Sequence, residues 1–262
     1  MNQEKYKKIF ESEKVRKYSE IICELAKECW DKNLSDSTGF SITQKIPNTD
    51  IIIVDKSGTG FRRNKLKTED LLLIDTKGEL LYRPSLDNPR LAPVNVAIHL
   101  VGYRLSKVGG CIHWHDPWTN AFSCLKKAIH PHTLQSKLLG DVSCVVVDDR
   151  EQKSKFKRRK QLTVPSGLHS REDVYFVMNQ VAEKVYKILK ERESEFDRHG
   201  IVVSHYEHGI FSFGRNAEEA FENGYRAVRN AQTIINSQML KDYPDQRALD
   251  NAGFGDVEII AG

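Results

Sequence analysis

Short apolar runs, each only a few residues long and bounded by turn residues, fill the middle of this chain, and helical patterns occupy both ends. That arrangement constrains the fold more than any other feature. Ile51-Ile52-Ile53-Val54 and Leu71-Leu72-Leu73-Ile74 read as strands, the second turned at Lys77-Gly78. Residues 142–147, Ile201-Val202-Val203 and residues 210–213 read as three more, and Gly110-Cys111-Ile112 as a buried strand entered from a Gly-Gly turn. Residues 4–30 carry Ile9, Phe10, Val15, Tyr18, Ile21, Ile22 and Leu25 near helical spacing, enough for one or two helices. Pro89 and Pro93 bracket the start of a helix over 94–105, and another is expected over 120–129. Ser170, with Asp173 three places on, opens a long helix to about residue 194 with the stripe Val174, Val177, Val181, Val185, Ile188. Asn216 and Glu219 form a second such box, opening a last helix that buries Ala220, Phe221, Tyr225, Val228 and Ile235. No internal repeat is present. Helices at both ends with strands between predict an α/β domain around a mixed, largely antiparallel sheet.

The apolar lead at 110–112 runs into His113-Trp114-His115. Side chains alternate faces along a strand, so His113 and His115 point the same way and can share one divalent ion. Zinc needs one or two further ligands. Two nearby histidines are also common as surface or hydrogen-bonded core residues, so the pair alone is a weak signal. A third histidine changes the weighting. Tyr206-Glu207-His208-Gly209-Ile210-Phe211 places a His-Gly pair at the entry of another apolar strand.

The chain has 262 residues, 39% of them hydrophobic, and 40 basic residues nearly balanced by 36 acidic ones for a net charge of +4. That balance gives no argument for a nucleic-acid partner. No run approaches the ~18 apolar residues of a membrane span, and the charged start, Met1 to Lys5, has no signal-peptide core. Five cysteines (23, 29, 111, 124, 144), an odd number without paired short spacing, read as reduced thiols in a cytoplasmic protein. Cys111 and Cys124 flank the histidine pair, but small buried hydrophobes are the simpler reading. The basic run at 150–160 reads as a solvated loop. Domain organisation is expected to be one domain over residues 1–240, with a tail at 241–262 that packs on a neighbouring subunit.

Taken in order, these pieces resemble the class II aldolase/adducin family over roughly residues 10–235. The resemblance rests on Thr38-Gly39-Phe40-Ser41, Lys56-Ser57-Gly58, Asn95 to His99, His113-Trp114-His115-Asp116-Pro117, and His208-Gly209 followed by Ala217-Glu218-Glu219-Ala220-Phe221. The last two are specific in combination. The resemblance implies a three-layer α/β/α fold and a zinc or related divalent ion held by His113, His115 and His208. It further implies a homotetramer with sites at subunit contacts. Three histidines leave an open position, the catalytic arrangement. Its Lewis acidity would stabilise an enediolate formed from a small hydroxy-carbonyl substrate.

The chain departs from the family pattern in two places. Family lyases carry a catalytic Glu four residues before a helix histidine; counting back from His99 gives Asn95, which cannot take up a proton but can orient a water or a substrate oxygen. Asp116, Glu207, His130 and His132 are the nearby alternatives. His130-Pro131-His132 falls where the family places a donor reaching a neighbouring site, and imidazole shuttles protons near neutral pH; two histidines at a proline turn is the plain reading. His205 is a candidate supporting neighbour of His208. On the substrate side, Ser41, Ser57, Gly58 and Trp118 are the expected binding residues. Gly39 replaces the family's phosphate-pocket Asn, and Pro93-Val94 replaces its Ser-Ser pair. Fewer donors point to a carboxylate, an uncharged or an aromatic substrate rather than a sugar phosphate. Three readings stay open: a lyase making or breaking a C–C bond, a three-His non-haem iron oxygenase or decarboxylase acting on an α-keto or α-hydroxy acid, and a non-catalytic adducin-like binding module. Retention of all three histidines weighs against the last.

Overall fold

A computed structural model describes residues 3–35, 40–55, 64–84, 92–93, 95–147 and 171–241, without the side chains of 171–177. Eight strands form one sheet: β1 (Ser41–Lys45), β2 (Ile51–Asp55), β3 (Leu71–Asp75), β4 (Leu80–Tyr82), β5 (Gly110–Trp114), β6 (Ser143–Val145), β7 (Ile201–His205) and β8 (Gly209–Gly214). Their spatial order is β4-β3-β2-β1-β5-β8-β7-β6. All ladders are antiparallel except β6–β7. The expected mixed, mostly antiparallel sheet is therefore the one observed.

The period-two alternation of a strand divides each apolar run between two cores. Ile52, Val54, Leu72, Ile74, Val203, Phe211 and Phe213 meet helices α3 (Val96–Gly102) and α6 (Arg171–Glu191) through Ile98, Val101, Val181, Val185 and Leu189. Ile53, Leu71, Leu73, Ile112, Trp114 and Val202 face the other way. There they meet α2 (Glu13–Asp31) and α7 (Ala217–Met239) through Val15, Ile22, Leu25, Ala220, Phe221 and Val228. Runs apolar at every position are what a sheet buried on both faces requires. The result is the expected α/β/α sandwich, with α1 (Gln3–Phe10), α4 (Pro117–Cys124) and α5 (Leu134–Lys137) at its margins.

Several boundaries differ from the sequence reading, each for a local reason. The helix expected over 120–129 begins earlier, because the Asp116 carboxylate accepts the N–H groups of Trp118 and Thr119 and Pro117 is preset for the first turn. It stops at Cys124, and Lys126 then takes a left-handed φ of 56°. The helix expected over 94–105 shrinks to α3. The strand expected over 142–147 keeps only three residues, Val142 making an isolated bridge to Ile129. Asn216 caps α7 through the Glu219 N–H as expected, but the Glu219 carboxylate turns to the N–H and guanidinium of Arg215. Ser170, Ser57, Gly58, the 150–160 run and residues past 241 lie outside the described residues. Among the described residues, no helix is long and apolar enough to cross a membrane.

Candidate metal centre

β5 lies between β1 and β8, and every residue of it is buried. It delivers His113 into the sheet interior and His115 one step past the strand end. The turn between β7 and β8 supplies His208. That turn is tight: Glu207 adopts a left-handed φ of 54° and Gly209 a φ of 149°. A Cβ on Gly209 would stand 2.2 Å from the Trp114 carbonyl oxygen, so only glycine lets the His208 turn close over the end of β5. The His-Gly pair is thus a backbone requirement of the site.

The three imidazoles converge. Their ligand nitrogens all lie within 4.8 Å of one another. His113 Nε2 stands 2.8 Å from His115 Nε2. The His113 ring stacks on Phe211, its neighbour across the ladder, at 4.2 Å and on His208 at 4.8 Å. His113 Nδ1 sits 2.8 Å from the Ile210 carbonyl oxygen, which can only accept, so Nδ1 carries the proton and donates it. Nε2 is then left with its lone pair, aimed at His115. A backbone carbonyl fixing the tautomer of a ligand histidine is the usual support of a metal site. Burial, then the neighbouring His115 and His208, hold the His113 ring well below its ordinary pKa, so it stays neutral and able to ligate. These observations fit a divalent ion with three nitrogen ligands.

Beside this centre lies a second polar cluster. Ser41 is the ladder partner of His113. Its hydroxyl receives the Asn95 Nδ2–H at 3.0 Å and lies 3.0 Å from His99 Nε2. His99 Nδ1 lies 2.9 Å from the Thr43 hydroxyl, which also accepts the Tyr103 O–H at 2.6 Å. Burial lowers the His99 pKa to about 3, so this ring too is neutral. Sequence reading placed Asn95 and Ser41 in the site, used His99 only as the helix histidine from which Asn95 is counted, and passed over Thr43 and Tyr103. The spacing that carried the missing signal is that of Ser41 and Thr43, which share a strand face.

The other expected residues distribute differently. His130 is exposed, with Nδ1 3.1 Å from Asp141 Oδ1. His132 is exposed too, its backbone N–H donating to Ser136 and to the Asn230 side chain on α7. Neither belongs to the three-histidine cluster of its own chain. Trp118 is half-buried against the core on the α2/α7 side, where Trp114 is fully buried. Asp116 is buried as the cap of α4, with both carboxylate oxygens engaged by α4. Glu207 is exposed beside His208. His205 is buried, its ring 5.2 Å from that of His208, and burial lowers its pKa to about 4. Cys111 packs in the α3/α6 core and Cys124 is exposed; all five cysteines are free thiols.

A methylthioribulose-1-phosphate dehydratase from Vanderwaltozyma polyspora is 30% identical over 97 residues, 37% of this chain and 35% of that protein. An L-ribulose-5-phosphate 4-epimerase from Salmonella paratyphi B is 24% identical over 182 residues, 66% of this chain and 64% of that protein. The chain therefore matches only about a third to just under two thirds of the length of these relatives. The crystal structure of L-fuculose-1-phosphate aldolase from Thermus thermophilus matches with a TM-score of 0.62 at 16% identity, covering 87% of this chain and 98% of that one. That likeness speaks for the fold alone. The family model for the class II aldolase and adducin N-terminal domain matches residues 20–235, a span that contains the whole sheet and all three histidines, and this chain belongs to that family.

Proposed function

We propose that this chain is a metal-dependent, aldolase-like lyase that makes or breaks a carbon–carbon bond in a small hydroxy-carbonyl substrate. The observation that carries the reading is the convergence of three imidazoles from two separate strand ends, with His113 locked as a ligand tautomer by the Ile210 carbonyl. A bound divalent ion, zinc in this reading, would supply Lewis acidity to a substrate carbonyl and hydroxyl. The names of the relatives, a dehydratase and an epimerase, support chemistry next to a carbonyl without fixing the reaction.

Asn95 stands beside Ser41, itself paired with His113, so it borders the centre. Its carboxamide orients an oxygen but moves no proton. The proton donor is then assigned to His130 and His132 of a neighbouring subunit in a homotetramer. Leu134 and Leu138, one helical turn apart and 76% and 61% exposed, give that side of the chain an apolar surface suited to such a contact. Pro93, buried and without an N–H, offers no donor to a phosphate, so the reading takes a carboxylate or uncharged substrate over a sugar phosphate. Ser57, Gly58 and Trp118 remain its proposed binding residues.

Elemental analysis of protein purified without chelator tests the core of the reading. About one zinc per chain is expected, with loss in His113→Ala and His208→Ala. Full retention of metal in both variants would overturn the ligand assignment. Iron would favour the oxygenase reading, to which the missing carboxylate at Asn95 lends weight. No metal, even after reconstitution, would favour the adducin-like binding module.

A further inference from the structure

The end of the sheet opposite the metal centre carries a pocket of about 190 Å³. Three stretches meet there: the close of β1 with the turn after it, the loop from α3 into β5, and the residue after β8. Lys45 stands four residues along β1 from Ser41, the ladder partner of His113, so roughly 13 Å of strand separates this pocket from the metal centre. Backbone bonds tie the stretches together. The Lys45 N–H donates to the Gly109 carbonyl at 2.8 Å, and the Gly109 N–H donates to the Gly214 carbonyl at 2.9 Å. A Cβ on Gly109 would stand 2.1 Å from the Arg215 carbonyl oxygen, so only glycine lets the loop lie this close.

That closeness collects charge of one sign. Lys45, Lys107 and Arg215 line the pocket, and no carboxylate does. Two of the cations are balanced from outside the lining: Lys107 by Asp197 and Arg215 by Glu219, each at 2.6 Å. Both keep donors to spare. Asp197 takes one of the three Lys107 ammonium N–H groups, and Glu219 engages Nε and Nη2 of Arg215 but not Nη1. Lys45 is half-buried and forms no ion pair among the described residues. A partly desolvated ammonium without a counter-charge is costly, and an anion beside it removes that cost. Neutral donors stand next to these cations. Ser106 and Lys107 are the central residues of the turn that the Val108 N–H closes on the Leu105 carbonyl, and their own N–H groups find no acceptor among the described residues.

We propose that this pocket binds a phosphate group, as the free ion or as the end of a small phosphate ester, at a site separate from the metal centre. Lys45, Lys107 and Arg215 supply charge-assisted hydrogen bonds, and the Ser106 and Lys107 N–H groups serve the oxygens that remain. Three cations from three separate segments suit a group with three or more acceptor oxygens better than a planar carboxylate with two. The volume lies below the ~300–1,000 Å³ of pockets that enclose drug-sized ligands, so the ligand is small or enters by its phosphate end alone. Nothing in this assignment depends on the metal or on the lyase reading.

Calorimetric titration of the full-length protein with inorganic phosphate at low ionic strength tests the site. Saturable binding to a single site per chain is expected, with the same affinity before and after chelator treatment. Lys45→Gln should weaken it about tenfold, while Lys45→Arg, which keeps the charge, stays close to the parent. Lys17→Gln removes the same charge from an exposed position on α2 and should also leave binding unchanged. Tighter binding of glycerol 3-phosphate than of phosphate would mark the ligand as an ester, and the reverse as the free ion; both support the site. No saturable binding at millimolar phosphate overturns it, as does equal affinity in Lys45→Gln. Equal weakening in Lys17→Gln would reduce the effect to net charge and overturn it too. Binding that disappears on chelation would put the anion on the metal instead, which overturns the separate pocket and leaves the metal reading standing.

Discussion

His113 and His99 are the same residue in nearly the same surroundings, yet they have opposite uses. Both are enclosed, at 2% and 0% exposure, and both pack on Phe211. Burial lowers the pKa of each. The difference lies in what the ring nitrogens meet. One nitrogen of His113 is occupied by a backbone carbonyl and the other faces a second imidazole. Both nitrogens of His99 face hydroxyls of β1. A buried imidazole becomes a ligand where one nitrogen is left to converge with others, and a scaffold where both are already used.

The largest expected effect comes from removing a converging nitrogen. His208→Ala should take metal content from about one ion per chain to near zero, read by elemental analysis, whereas His99→Asn should leave it close to the parent value. Equal metal loss in both would erase the distinction between the two sites. The next tests the boundary between them. Asn95→Glu puts a proton-accepting group between scaffold and centre, and retro-aldol turnover should rise by about 10²-fold if the pocket is otherwise that of a lyase.

A smaller effect separates the clusters by pH. The His99 pKa is about 3 in the folded chain against 6.5 in its ordinary state. The folded form therefore favours the neutral ring. The stability this contributes is complete above about pH 6.5 and is lost as pH falls toward about 3. Urea unfolding of metal-free protein followed from pH 7 to pH 4.5 should show a decline that is flatter in His99→Asn by up to about 1.4 kcal/mol per pH unit. Identical slopes would mean the ring is not held neutral by burial. Smallest is Tyr103→Phe, which removes one hydrogen bond and should cost about 1 kcal/mol by the same unfolding measurement. A cost near zero would mean that the Tyr103 O–H adds nothing to the buried cluster.

Much of this was legible along the chain. The all-apolar runs at 51–54 and 71–74 belong to strands buried on both faces, and periodicity located α2, α6 and α7. The His-x-His pair and the His-Gly pair were both readable because strand alternation and a glycine turn are local rules. His130, His132 and Trp118 show the limit: no local rule says that the loop after α4 carries both histidines to the surface, or that Trp118 sits half-buried on the α2/α7 side, so what each of them can reach is set by the fold and by any neighbouring subunit. The helix boundary at Asp116 was also misplaced, because a carboxylate that caps two N–H groups looks in sequence like a spare acid near a metal.

What the sequence determined by itself was the composition of the layers: which runs are strands, which faces are apolar, and that three histidines sit at strand ends. Those follow from period-two and period-3.6 patterns, which depend only on neighbours in the chain. What the tertiary structure decided was the pairing. β5 lies between β1 and β8, both remote from it along the chain. The contacts that result join Ser41 to His99 at a separation of 58 residues and His113 to Ile210 at 97. The Ile210 carbonyl chooses the tautomer of His113, and no local pattern can, because the proton on an imidazole is placed by whichever acceptor the fold brings to it.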